Sequence, residues 1–217
     1  MVDLQNSGVS RFAKLMATYD MPMFEVRILY VERLEFLRYT CPSCMDLFEG
    51  WMPNYRRLYK QGGIYFFTIN LLERGDNDLL VRNIDLLRES VKSVKARYPF
   101  NIHAWVVLPD HLHCVIELPA GDDNFSLRWR QIKSYFSRNL PANERLSATR
   151  QKRYERGIWQ RRFWEHLIRD ERDYWHRINY VHYNPMKHGL VKRVADWPYS
   201  TFHLFVKKKI YDIHWCG

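Results

Sequence analysis

The chain has 217 residues, of which 47% are hydrophobic and 16% aromatic, enough to bury a packed core. Lys and Arg outnumber Asp and Glu by 34 to 24, and the resulting net charge of +10 favours a polyanionic partner. No apolar stretch reaches the roughly 18 residues of a membrane span. The N-terminus lacks the ordered basic, apolar and small-residue zones of a signal peptide. The sequence therefore predicts a cytoplasmic protein without membrane segments.

The charge divides the chain into two unequal parts. Residues 1–51 carry five basic and seven acidic side chains, so the basic character belongs to residues 52–217. Residues 1–51 are predicted to be an N-terminal extension of unknown role, or sequence upstream of the true start codon, because Met52 opens what reads as a complete domain. Cys41 and Cys44 have the spacing of half a zinc knuckle, but no second Cys/His pair follows at that spacing.

The first three elements follow from composition and periodicity. Residues 64–71 are rich in aromatic and β-branched side chains and predict a strand. The next apolar side chains recur at intervals of three and four and predict an amphipathic helix that ends at Pro99; they are Leu80, Ile84, Leu87, Val91 and Val94. Two strands, 102–108 and 111–118, then flank Pro109, which cannot donate to a continuous ladder.

The second half of the chain is also predicted to alternate between helices and strands. A helix is predicted to begin near Asn124, followed by a basic loop over 141–157 that lacks periodicity. Residues 163–168 predict a fourth strand after this basic insertion, and Asp170 is placed to cap a helix over 171–184. The order predicts an α+β, ferredoxin-like fold with an antiparallel sheet.

The third predicted strand contains a His-x-His pair. In a strand, His111 and His113 point to one face, whereas Leu112, Cys114 and Ile116 point to the other, which can be buried. The two imidazoles, about 7 Å apart along the strand, can converge on one divalent metal with a third ligand from elsewhere. An isolated pair of this kind is as often structural, so the interpretation depends on other residues.

The last predicted helix supplies two residues that favour the functional interpretation of the His-x-His pair. Tyr180 and Asn184 are four positions apart and share a flank about a quarter turn from the apolar stripe, which predicts that they border the core without being buried. Asn184 is predicted to end the helix, because Pro185 follows it. A phenol and a carboxamide near two imidazoles and a cation suit metal-dependent attack on a phosphodiester. The chain has 14 tyrosines, so the choice of Tyr180 depends on its combination with Asn184 and the two histidines.

Five ordered motifs across about residues 52–217 resemble the REP-associated tyrosine transposases, a branch of the HUH single-strand nucleases. They are Met52-Pro-Asn-Tyr-Arg-Arg57, Val106-Val-Leu-Pro-Asp-His-Leu-His113, Trp159-Gln-Arg-Arg-Phe-Trp-Glu-His166, Tyr180-Val-His-Tyr-Asn-Pro-Met-Lys-His-Gly189 and Asp196-Trp-Pro-Tyr-Ser-Thr-Phe-His203. The resemblance implies an HUH endonuclease fold in a tyrosine transposase domain over residues 52–217.

The resemblance also implies a function and a site. Such a protein binds palindromic REP-type repeats folded as single-stranded DNA hairpins, and cleaves and rejoins the strand through a 5′-phosphotyrosine intermediate. By the same resemblance, His111, His113 and Asn184 would hold Mg²⁺ or Mn²⁺, and Tyr180 would be the nucleophile. We expect a nucleoid-associated protein. It should need no nucleotide cofactor, because a phosphotyrosine ester retains the energy for rejoining the strand. Whether the active unit is a monomer or a dimer stays open.

Basic side chains along the domain are candidates for contacts with DNA phosphates, with Tyr and Trp nearby for stacking on unpaired bases. The candidates are Arg56, Arg57, Arg128, Arg130, Lys133, Arg161, Arg162, Lys187 and His188.

Three other functions remain open from the sequence. The first is a hairpin-binding protein without catalytic turnover, and the second is a ferredoxin-like RNA-binding module that stacks bases on strand aromatics. The third is a zinc hydrolase, which requires a third His or a carboxylate near the His-x-His pair. Glu117, on the same strand face, is the nearby candidate for that ligand.

Overall fold

The structure, a computed structural model, describes residues 57–142, 148–153 and 155–216. The predicted extension over residues 1–51 and the candidate DNA contact Arg56 lie outside these ranges. The elements are β1 (Ile64–Asn70), α1 (Leu79–Arg82), α2 (Ile84–Arg97), β2 (Asn101–Val107), β3 (His111–Glu117), α3 (Phe125–Arg138), α4 (Ala148–Lys152), β4 (Trp164–Leu167), α5 (Glu171–Lys187), a 3₁₀ turn (Val194–Asp196) and α6 (Phe202–Lys207). Within the described ranges, no helix combines the length and apolar character needed to cross a bilayer.

The four strands form one antiparallel sheet in the order β2-β3-β1-β4. This order, with helices between the strands, confirms the predicted α+β, ferredoxin-like fold. In the central register, Thr68 of β1 lies opposite His113 of β3 on one side and opposite Trp164 of β4 on the other. β2 and β4 are therefore the two edges of the sheet.

One face of the sheet packs against α2 and α3. Leu112, Cys114 and Ile116 of β3 are fully buried in this layer, as the alternation of side chains predicts. Trp129 and Phe136 of α3 fill the same core from the helix side. The asparagine before α3, Asn124, caps the helix by accepting a hydrogen bond from the Leu127 N–H.

The opposite face of the sheet packs against α5, which is covered in turn by the C-terminal segment. Ile178 and Val181 are fully buried against the sheet, as the apolar stripe predicts. On another side of α5, His182 contacts the rings of Phe205 and Tyr211. Because α5 is covered on two sides, more of its surface is buried than a single apolar stripe would bury.

Three predicted boundaries need correction. The first helix is divided at Asn83, whose backbone and side-chain N–H groups both bond to the Leu79 carbonyl. The basic segment before β4 contains the short helix α4 and is not a loop throughout. The last helix does not end at Asn184 but continues through Pro185 to Lys187.

Local hydrogen bonds explain why α5 tolerates Pro185. The Asn184 side chain donates to the Tyr180 carbonyl over 3.0 Å, which adds a bond at the turn that the proline disturbs. The helix then ends in a Schellman arrangement, in which the Leu190 N–H bonds to the Pro185 carbonyl over 2.9 Å. Gly189, with φ of +68°, provides the left-handed residue that this ending requires.

Candidate active site

His111 and His113 lie side by side on the face of β3 that is turned towards α5. Their ring centroids are 4.9 Å apart, and the residues are only 3% and 4% exposed. The shared face agrees with the strand pattern, whereas their degree of burial exceeds that of a half-exposed sheet, because α5 covers them. The structure thus brings the two imidazoles together in a nearly dry environment.

An ion pair holds the ring of His111. Its Nδ1 lies 2.5 Å from Asp110 Oδ1, and Arg74 Nε donates to Asp110 Oδ2 over 2.7 Å. Burial lowers the pKa of His111, although the Asp110 carboxylate opposes this shift. Because the Asp110 carboxylate accepts a hydrogen bond from the protonated Nδ1, the neutral ring of His111 has an unprotonated Nε2.

A hydroxyl holds the ring of His113. Its Nδ1 lies 2.9 Å from Thr68 Oγ1, on the neighbouring strand β1. Burial lowers the pKa of His113 well below its ordinary value, and the carboxamide of Asn184 opposes the shift. Among the described residues, neither His113 Nε2 nor Asn184 Oδ1 has a hydrogen-bond partner, although both atoms are buried. Such atoms are suited to bind an added group.

Tyr180 lies on the same side of the sheet as the two histidines. Its ring is edge-on to His113 at 5.3 Å and to Phe66 at 5.6 Å between centroids, and it is half-buried. The Lys187 ammonium lies 5.4 Å from the centre of the Tyr180 ring. The expectation that Tyr180 borders the core is therefore confirmed.

Asn184 is more deeply placed than the sequence indicates. We expected it at the helix end, bordering the core, but it is fully buried. The cause is the continuation of α5 beyond Pro185, which leaves Asn184 inside the helix and near His113. The carboxamide also donates to the Tyr180 carbonyl, so one helix positions both side chains.

Arg128 is a clear correction among the predicted DNA contacts. It is 2% exposed, and its guanidinium donates to the carbonyls of Pro99 and Asn124 and to the Asp122 carboxylate. A group that is buried and bonded in this way has no surface to offer to a phosphate, so Arg128 ties α3 to the end of α2 instead.

Arg57 and Lys133 also have internal partners. Arg57 Nε lies 3.2 Å from Glu165 Oε1, and its guanidinium carbon lies 4.4 Å from the Phe163 ring centre. Lys133 donates to the Gln160 carbonyl over 2.9 Å, and burial, aided by Arg57, lowers the pKa of Lys133 to about 8. The remaining candidates are exposed, although Arg161 Nε donates to Glu155 Oε2 over 2.9 Å; they are Arg130, Arg161, Arg162, Lys187 and His188.

Thr68, Arg74 and Asp110 are site residues that the sequence interpretation missed. Asp110 directly precedes His111, so its partnership could have been inferred from adjacency. Thr68 could have been found from the register of an antiparallel pair that places it opposite His113. Arg74 comes from the loop after β1, and no sequence pattern links it to Asp110.

Glu117, the predicted extra ligand for a zinc hydrolase, is engaged at the far end of β3. Its carboxylate lies 3.2 Å from His103 Nε2 and accepts from Asn101 over 3.3 Å. In the part of the chain that the structure describes, no three His, Cys, Asp or Glu side chains form a group that could hold a metal. The ligand set that the zinc hydrolase alternative requires is thus absent from these residues.

Comparisons with known proteins agree with this arrangement. A family model described as "Transposase IS200 like" matches residues 77–184, which include both histidines, Tyr180 and Asn184. A REP-associated tyrosine transposase of Escherichia coli (strain K12) is 47% identical over 166 residues, which cover 76% of this chain and 92% of that protein. A putative REP-associated tyrosine transposase of Haemophilus influenzae (strain ATCC 51907 / DSM 11121 / KW20 / Rd) is 48% identical over 167 residues, covering 76% of this chain and 94% of that protein.

A solved structure of a REP-associated tyrosine transposase bound to a REP hairpin is also similar to this chain. It is 46% identical, superposes with a TM-score of 0.65, and the match covers 76% of this chain and 92% of that one. The fold, the order of the motifs and these identities lead to one assignment. The chain belongs to the REP-associated tyrosine transposases.

Proposed function

We propose that this transposase cleaves and rejoins single-stranded DNA at palindromic repeat hairpins, with Tyr180 as the nucleophile. The relative solved with a REP hairpin supports the choice of substrate. The observation that most directly supports the chemistry is a pair of buried atoms, His113 Nε2 and Asn184 Oδ1, that lack hydrogen-bond partners among the described residues. An unsatisfied buried polar atom costs about 1–3 kcal/mol, a penalty that a bound cation would relieve.

The donor set fits Mg²⁺ or Mn²⁺. His111, His113 and Asn184 would hold the ion with two imidazole nitrogens and a carboxamide oxygen, a combination that Mn²⁺ accepts readily and Mg²⁺ can share with water. A bound cation would polarise the phosphate and neutralise the charge on the leaving oxygen. Asp110 and Thr68 keep the two rings in orientation, since each occupies the Nδ1 side of its histidine.

Tyr180 would carry the covalent step. Its hydroxyl oxygen forms a bond to phosphorus while the bond from phosphorus to the 3′ oxygen breaks, so the 5′ phosphate becomes joined to the tyrosine. The phenolic proton is lost, and the departing 3′ oxygen gains a proton to become a hydroxyl. Attack by a 3′ hydroxyl on the phosphotyrosine reverses these changes. One phosphate ester replaces another, so rejoining requires no nucleotide cofactor.

Exposed cations would guide the strand to this site. Lys187 and His188 follow Asn184 at the end of α5, and the ring of His188 lies 5.0 Å from that of His111. Arg130, Arg161 and Arg162 are exposed on α3 and before β4. Phosphate contacts of this kind contribute sequence-independent, salt-sensitive affinity, which suits a protein associated with the nucleoid in the cytoplasm.

Replacement of Tyr180 by Phe tests the proposal. Incubation of a hairpin-bearing single strand with wild-type protein and Mn²⁺ or Mg²⁺ should give a covalent adduct on denaturing electrophoresis. Tyr180→Phe should form no adduct, because the attacking oxygen is missing, while hairpin affinity stays within about threefold of wild type, or ~0.6 kcal/mol. Tyr174→Phe and Tyr183→Phe are matched controls and should still form the adduct.

The alternatives predict other results. An adduct in Tyr180→Phe would assign the attack to another residue, and no adduct with wild type would favour a protein that only binds hairpins. An RNA-binding module would show no loss of nucleic-acid affinity or activity when His111 and His113 are both replaced by Ala.

A further inference from the structure

The edge strand β4 presents a large aromatic side chain beside the candidate active site. This side chain is Trp164, which is the first residue of the strand and is 41% exposed. It lies opposite Thr68, which lies opposite His113 in turn, so the three residues share one sheet face in a row across three strands. At about 4.8 Å per strand, the Cα atoms of Trp164 and His113 are about 10 Å apart.

A continuous set of ring contacts joins Trp164 to Tyr180, the proposed nucleophile. The buried ring of Phe66 is edge-on to Trp164 at 5.5 Å and edge-on to Tyr180 at 5.6 Å. The same ring stacks on His113 at 5.6 Å with an interplanar angle of 18°. A single buried phenyl group, that of Phe66, therefore separates Trp164 from the ring of Tyr180.

Paired polar side chains hold the indole in position. The His166 ring is parallel to Trp164, with 5.9 Å between centroids, and its Nε2 lies 2.7 Å from Asp173 Oδ2. The guanidinium carbon of Arg177 lies 5.5 Å from the Trp164 ring centre, and its Nε lies 3.4 Å from Asp173 Oδ1. The exposed part of the indole is thus supported from within the protein and requires little ordering when a ligand binds.

Exposed arginines lie on both sides of β4 in the sequence, together with carboxylates such as those of Asp170 and Glu171. Arg161 and Arg162 precede the strand, Arg169 and Arg172 follow it, and all four are exposed, although Arg161 Nε also donates to Glu155 Oε2 over 2.9 Å. An exposed aromatic ring between cations is the combination that binds single-stranded nucleic acid, because the cations follow the phosphates while an unpaired base stacks on the ring. A single exposed apolar residue is ordinary by itself, but here exposed arginines, support from within the protein and the proposed nucleophile lie close to the same ring.

We propose that Trp164 is a stacking position for an unpaired base of the DNA strand, next to the phosphate that Tyr180 attacks. The single-stranded flank of the hairpin then extends from Tyr180 towards the exposed indole at the β4 edge. This inference rests on the proposed function, since it places the strand relative to Tyr180. It adds a binding site for a nucleobase to the metal and nucleophile positions.

Binding measurements with two variants test the site. The probe is a labelled hairpin oligonucleotide with a single-stranded flank, compared with the same hairpin without the flank at one salt concentration. Trp164→Ala should weaken binding of the flanked DNA by about 10- to 100-fold, the range of base–aromatic stacking, and leave the unflanked hairpin unchanged. Trp164→Phe should retain most of the affinity. Leu204→Ala, at an equally exposed apolar residue on α6 (47%), should change neither.

Abasic substitutions identify the base that stacks. With wild-type protein, an abasic site at one flank position should weaken binding as much as Trp164→Ala does. At that position the variant should lose nothing further, because both changes remove the same contact. Losses that add at every position, or unchanged affinity of Trp164→Ala for flanked DNA, would overturn the stacking site. Adduct formation by the wild type reports on the proposed function separately.

Discussion

At the scale of single residues, the two histidines of β3 are held by different partners. His111 is oriented by the Asp110 carboxylate, which Arg74 secures, whereas His113 is oriented by the hydroxyl of Thr68. Burial lowers the pKa of both rings, so both are neutral near pH 7 and have a lone pair available. The partner on Nδ1 determines where Nε2 points, which makes these partners part of the site.

Thr68→Val tests this dependence, because the substitution keeps the shape of the side chain and removes the hydroxyl. Without the bond to Nδ1, the ring of His113 loses its fixed orientation and tautomer. We expect Mn²⁺ affinity, measured by titration calorimetry, to fall about 10- to 100-fold, the usual effect of losing such a partner. The unfolding transition should show that the variant is folded.

Thr201→Val provides the matched control. Thr201 Oγ1 lies 2.9 Å from His182 Nε2, so this variant also removes a threonine hydroxyl from a buried histidine, but in the C-terminal segment. It should lower stability without changing Mn²⁺ affinity. Equal metal affinity in Thr68→Val and wild type would show that Thr68 does not orient a ligand.

At the scale of elements, α5 carries the two proposed reactive side chains at its C-terminal end. The last turns of this helix contain Pro185, which would ordinarily weaken a helix. The Schellman ending at Gly189 and the bond from Asn184 to the Tyr180 carbonyl hold these turns together. The positions of Asn184, Lys187 and His188 therefore depend on how the helix ends.

Gly189→Ala tests the role of the helix ending. Gly189 has φ of +68°, a conformation that costs a residue with a Cβ about 1–2 kcal/mol. No heavy atom lies within 4 Å of a Cβ built at this position, so backbone strain accounts for the whole effect. We expect urea denaturation to show a loss of about 1–2 kcal/mol in the free energy of unfolding.

Gly75→Ala is the control for this substitution. A Cβ at Gly75 also meets nothing within 4 Å, but the residue does not have a left-handed φ. It should change stability by less than about 0.5 kcal/mol. Equal effects of the two substitutions would contradict the assignment of strain to Gly189.

At the scale of the whole molecule, the C-terminal segment and α5 are joined around a buried histidine. His182 is fully buried, contacts the rings of Phe205 and Tyr211, and lies 2.9 Å from Thr201 Oγ1. Burial lowers the pKa of His182 to about 3, and the nearby His203 adds to the shift. The folded protein thus keeps this ring neutral where an exposed histidine would be charged.

This burial predicts that acid weakens the fold. An unfolded histidine has a pKa of about 6.5, so between that value and about 3 the unfolded chain binds a proton that folded His182 does not. The free energy of unfolding should therefore fall as pH drops below about 6.5, with His182 contributing up to about 1.4 kcal/mol per pH unit. Above that pH the contribution is complete and constant.

Urea denaturation between about pH 5 and pH 8, on wild type and on His182→Gln, measures this contribution. Other buried histidines, such as His113, titrate in both proteins, so the difference between them isolates His182. Wild type should exceed the variant most at pH 8, and the difference should shrink as the pH falls. A difference that does not vary with pH would contradict the prediction.

The sequence by itself determined the local features of this protein. The two faces of β3, the cap at Asp170 and the order of strands and helices along the chain follow from short-range patterns, because side-chain periodicity and capping act over a few residues. The spacing of Tyr180 and Asn184 on one helix is local in the same way. The family motifs added the proposed roles of these residues.

Only the tertiary structure decided which side chains are buried and which partners they have. Arg128 and Arg130 are two residues apart in one helix, yet one ties two elements together inside the protein and the other faces solvent. Thr68 and Trp164 acquired their places beside His113 through strand pairing. Burial and pairing depend on segments far apart in the chain, so no local pattern of residues determines them.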